Sequence, residues 1–143
     1  MNRNSEFLTK IYQNAKMGYD SISYVSKKTD DAELRDAILK QHAQYTDIAS
    51  EATELLSAED EIPRDKGPVS QACLWGSVQM NTMADSSSDH IAEMMMQGNM
   101  MGVVELSRDL RRFSDVDAKV TKLAEKLIKT EEDNIQEMKK FLS

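Results

Sequence analysis

The stretch Ile91–Phe113, IAEMMMQGNMMGVVELSRDLRRF, carries apolar side chains at Met96, Val103, Leu106, Leu110 and Phe113. Intervals of three and four residues place such positions on one face of an α-helix. Asn99 falls on that same face, between Met96 and Val103. Two other amphipathic stretches repeat the pattern, with Gln41 and Glu131 on their apolar faces. The reading is an all-α four-helix bundle with polar side chains near mid-height. That is the level at which bundles hold metal or ligand sites.

The chain has 143 residues, which suits a single domain over 1–143 with a real core. A net charge of −7 argues against nucleic acid or an anionic membrane as partner, since both require a basic face. One cysteine, Cys73, has no internal disulfide partner and reads as a small buried hydrophobe in a reduced compartment. The first residues, Met1 to Glu6, contain no apolar core of a secretory signal. No apolar run approaches the roughly 18 residues of a membrane span. A cytoplasmic protein is expected.

Helix A is predicted over about 5–27, with the stripe Leu8, Ile11, Ala15, Gly18, Ile22 and Val25. Gly18 inside a helix costs about 1 kcal/mol relative to Ala. It therefore implies close approach by a neighbouring helix or room for a bulky side chain opposite. Asp30 with Glu33 resembles a capping box and opens helix B, about 31–56. Its stripe is Leu34, Ile38, Gln41, Tyr45, Ile48, Ala52 and Leu55. The acidic segment from Ser57 to Gly67 contains Pro63 and reads as a loop. A further helix is expected over about 68–84, started by Pro68. Ser88 is the expected N-cap of helix C, about 88–113. Ser114 with Asp117 is the expected cap of helix D, about 115–142. One apolar row of helix D includes Asn134 and the adjacent row includes Glu131.

Short links make A–B and C–D antiparallel neighbours. The B–C connection, at roughly 30 residues, is far longer than the usual interhelical loop. A helix of about 17 residues spans about 25 Å, most of a bundle's height. The economical topology is a long helical crossover that leaves B and C parallel.

In helix order and loop lengths the chain resembles the ferritin-like superfamily, and within it a family of uncharacterised bacterial ferritin-like domains. The local likeness lies in Gly18-Tyr19, in Asp30-Asp31-Ala32-Glu33-Leu34, in Gln41-His42-Ala43-Gln44-Tyr45 and in Gly98-Asn99. The resemblance implies a mid-bundle di-metal site, with Glu on helices A and C and Glu-x-x-His on helices B and D. Against that pattern this chain has Gln41 and Gln44 on helix B, Glu131 and Asn134 on helix D, and Asn99 on helix C. Lys16 is the nearest equivalent on helix A, with Tyr19 one turn later. Both histidines are replaced, and a lysine repels a cation. Amides donate and accept, so Gln41, Gln44, Asn99 and Asn134 are expected to satisfy one another without metal. Glu131 is expected to pair with Lys16 or an amide. No catalytic residue, cofactor or metal is assigned.

The resemblance thus implies a non-enzymatic bundle, a structural or protein-interaction module with a degenerate metal site. The alternative is a metal-binding protein or oxidoreductase with unusual Glu, Gln and Asn ligands, or with Met and His. Of ten methionines, Met94, Met95, Met96, Met100 and Met101 cluster on helix C. With His90 they form a conceivable copper(I) set, but Met94–Met96 point in three directions. Methionine is more simply core filler or an adaptable contact surface. A homodimer, or another protein partner, through this Met-rich face is the expected use. No Gly-rich phosphate loop, zinc spacing or Ser/His/Asp set is present.

Overall fold

The computed structural model describes residues 2–63 and 83–143. Among these residues four long helices form: α1 (Arg3–Ser26), α2 (Ala32–Ser57), α3 (Ser88–Arg112) and α4 (Ala118–Met138). A single 3-10 turn, Lys139–Phe141, follows α4. Among the described residues there is no strand. No helix among them is long and apolar enough to cross a membrane. The expected crossover helix at 68–84, with Cys73, Trp75 and Met80, lies outside the described residues except for Met83 and Ala84, which are not helical.

The helix directions follow from contacts at the two ends. Ser88 Oγ, at the start of α3, donates to Asp31 Oδ2, at the start of α2, over 2.7 Å. At the far end Asn4 donates to Glu59 just beyond α2, at 3.1 Å, and to Asp117 just before α4, at 2.9 Å. Arg3 pairs with Asp115 at 3.3 Å and stacks over the Phe113 ring. So α1 and α4 run one way, and α2 and α3 run the other, as the length of the B–C connection implies.

The caps differ from the sequence reading by one position or more. Asp31, not Asp30, caps α2, with its carboxylate accepting from Leu34 N at 3.0 Å. Ser87, not Ser88, caps α3, which frees Ser88 to bond Asp31. The last helix starts at Ala118 rather than 115, because residues 113–117 make the turn. Asp117 caps it without a side-chain bond of its own. Asn4 of α1 instead accepts from Asp117 N at 2.9 Å, the bond that an N3 side chain makes in a capping box. A tertiary partner thus does what local sequence normally does.

The buried line on α3 is Ile91, Met95, Asn99, Gly102, Leu106, Asp109 and Phe113. Met96, Val103 and Leu110 sit beside it, half-buried. Hydropathy alone favours Val103 over Gly102, but the core needs the smaller residue. A Cβ at Gly102 would stand 3.1 Å from Glu131 Oε2. Gly18 has the equivalent role on α1. A Cβ there would lie 2.8 Å from Tyr45 Cδ2 and 2.9 Å from Cγ. Room for a bulky opposing side chain is therefore the reason for this glycine.

Gly18→Ala tests that cradle. Helix propensity alone favours Ala by about 1 kcal/mol. The ring of Tyr45 is fully buried and has nowhere to go, so overpacking of about 1–3 kcal/mol prevails. The expected result is a lower urea midpoint with an unchanged slope; a raised midpoint would show that the ring yields.

Candidate functional site

Tyr45 sits on the buried face of α2 because its position continues the spacing of Ile38, Gln41 and Ile48. Its ring lies against Gly18, and its hydroxyl reaches the centre of the bundle. There the hydroxyl donates to Asn99 Oδ1 on α3 at 3.0 Å. It accepts from Asn134 Nδ2 on α4 at 3.1 Å. The Glu131 carboxyl, also on α4, is its third hydrogen-bond partner. One buried hydroxyl thus joins three helices.

Glu131 is fully buried beside Gly102. Burial raises its pKa from 4.5 to about 8, opposed by the bond to Tyr45. The side chain is therefore mostly a neutral acid at pH 7. A hydroxyl offers one proton and two lone pairs. With Glu131 neutral, the Tyr45 proton goes to Asn99 and a lone pair accepts from Asn134; when Glu131 ionises, its carboxylate competes for that proton, and this is the bond that lowers its pKa. Burial, and the nearby Glu131 carboxylate when it ionises, hold the Tyr45 phenol well above its ordinary value. Asn14 on α1 completes the layer. It is buried, its Nδ2 donates to Lys10 O at 3.3 Å, and its Oδ1 faces Gly102.

Tyr45 brings Asn99, Asn134 and Glu131 together, and Gln41 is buried one turn before it. The mutual satisfaction of the amides is only partial. Among the described residues Gln41 Oε1 and Nε2, and Asn99 Nδ2, lack partners. Tyr45 is the reason, because it takes the central position and the bonds of Asn99 and Asn134. Gln44 is exposed, since Tyr45, the next residue and about 100° further round the helix, holds the core position. Lys16 is half-exposed and ion-paired with Asp20 at 2.7 Å, so it is not the counter-charge of Glu131. Tyr19 lies toward the surface, edge-on to His42, with its phenol raised to about 12 by burial and Tyr12. Ser23 and His42 share a hydrogen bond of 3.2 Å on that side.

Tyr45 was legible only as an apolar stripe member, and Asn14 was missed. Yet Ile11, Asn14 and Gly18 keep the three-and-four spacing, and that is the signal for Asn14. Asp109 was also missed. It is buried between Lys10 at 3.9 Å and Arg112 at 3.7 Å, and desolvation raises its pKa against those two cations.

The layer does not fit two metal ions. It offers one buried carboxyl, Glu131, among neutral amides and a phenol that bond one another. Bridged divalent ions need several anionic oxygens or imidazoles. Among the described residues no three His, Cys, Asp or Glu side chains are placed to hold a metal ion.

No family model and no curated protein matches the chain. Among solved structures it is similar to "Crystal structure of DUF305 fragment from Deinococcus radiodurans". The TM-score is 0.77 at 12% identity, over 98% of this chain and 95% of that one. A likeness at that identity concerns the fold, an all-helical bundle of four long helices.

Glu131 sets a pH dependence. Between its unfolded value of 4.5 and its folded value of about 8, the native state holds a proton that the unfolded chain has released. Stability should therefore fall as pH rises through that window, by up to about 1.4 kcal/mol per unit. Above pH 8 this contribution is gone. Glu131→Gln keeps the shape and the donor, so its stability should vary much less between pH 5 and 8. Denaturation midpoints of both proteins across that range measure the difference; parallel curves would refute it.

Proposed function

We propose that this chain is a ferritin-like, non-enzymatic helical bundle, acting as a structural or protein-interaction module whose mid-height layer has lost a di-metal site. The observation that carries the reading is the position of the Tyr45 hydroxyl among Asn99, Asn134 and Glu131. A phenol at the centre, hydrogen-bonded to neutral groups, takes the space and the donor atoms that bridged metals would need. A cytoplasmic setting accords with the lone cysteine and the acidic charge.

The rival is a metalloprotein using Glu131 with Gln41, or the Met and His residues of α3. Protein purified without chelators should contain well under one iron, manganese or copper atom per chain. One or two stoichiometric atoms would overturn the proposal.

The contact face would be α3. Met94 and Met95 are buried, whereas Met100 and Val104, one turn apart, are 50% and 42% exposed. Met101 and Val103 flank them, half-buried. An adaptable apolar strip of this kind suits a two-fold contact with a second copy. Light scattering should return twice the chain mass at micromolar concentration, and Met100→Glu should halve it. A wild-type mass of one chain would remove the dimer.

A further inference from the structure

The Tyr45 network closes the layer on one side, but the turn before it is chemically incomplete. Gln41 is 2% exposed and Asn99 is 5% exposed. Among the described residues neither Gln41 Oε1, Gln41 Nε2 nor Asn99 Nδ2 has a partner. Buried amides left without partners are costly, and folded proteins nearly always satisfy them.

The two amides belong to the same level. The helices that carry them are joined at their first residues, where Ser88 bonds Asp31. At 1.5 Å per residue Gln41 lies about 14 Å along α2 and Asn99 about 17 Å along α3. Both side chains also incline toward the shared N-terminal end. Asn99 Oδ1 is already engaged by Tyr45, so its Nδ2 is the half of the amide left over.

We propose that the bundle interior between Gln41 and Asn99 binds a small, neutral guest that both donates and accepts hydrogen bonds, and that this guest is water in the purified protein. The unmatched atoms include two amide NH2 groups, which repel a cation. An anion would lie near the carboxyl of Glu131, and among the described residues no Lys, Arg or His is buried to offset it. One free acceptor and two free donors match a molecule of the water class, which needs two to four polar partners. The inference concerns the Gln41 side and stands apart from the loss of a di-metal site.

Water-to-protein cross-relaxation on the 15N-labelled full chain is the test. The side-chain amide protons of Gln41 and Asn99 should show contacts to water of long residence. In Gln41→Leu, which removes two of the three unmatched atoms, the Asn99 contact should weaken by at least about fivefold, as the water loses its partners. The wild-type spectrum decides the matter even if the variant fails to fold. If both amides show contacts to protein side chains and none to water or solute, the proposal is wrong. Mass spectrometry of the denatured extract separates the sources. A stoichiometric neutral polar compound would keep the site and replace water as its occupant, whereas a stoichiometric metal or anion would overturn it.

Discussion

A tyrosine ring needs space that three packed helices do not ordinarily leave, and Gly18 supplies it. The ring of Tyr45 lies where a Cβ at Gly18 would be, at 2.8 Å. From that seat its hydroxyl reaches α3 and α4 and binds Asn99, Asn134 and Glu131. A second glycine, Gly102, leaves space for the Glu131 carboxyl in the same way. The polar centre is therefore a shape constraint before it is an electrostatic one. Small residues on α1 and α3 face large polar ones on α2 and α4.

Charge in this molecule is arranged around that centre with some economy. The buried acid holds its proton, so the layer carries little net charge at neutral pH. Ionised groups tie the ends instead. Arg3 bridges to Asp115, and Glu59 accepts from Asn2, Asn4 and Ser5. These contacts bind the start of α1 to the end of α2 and the turn before α4. Exposed pairs of this kind contribute little stability each, but they specify which ends meet.

The amide-rich layer and the outward methionines divide the molecule into two kinds of surface. The interior is a self-organised network around one phenol, poorly suited to bridged metal. The exterior of α3 carries Met100 and Val104 in the open. Among the described residues, polar atoms of the interior remain unmatched at Gln41.

Much of this was written in the spacing of residues. The three-and-four intervals marked all four long helices to within a few residues. Asn99, Gln41, Glu131 and Asn134 could be placed in the core because each interrupts an apolar stripe without breaking its period. The length of the B–C connection was enough for the parallel course of α2 and α3. What the intervals could not carry was identity across helices. Hydropathy scores Val103 above Gly102 and treats Tyr45 as filler, because it weighs one helix at a time. Lys16 and Gln44 were drawn into the layer by alignment, yet their angles on the helix turn them outward. Which residue must be small, and which hydroxyl ends at the centre, depend on the side chain that stands opposite. That pairing exists only once the helices have packed.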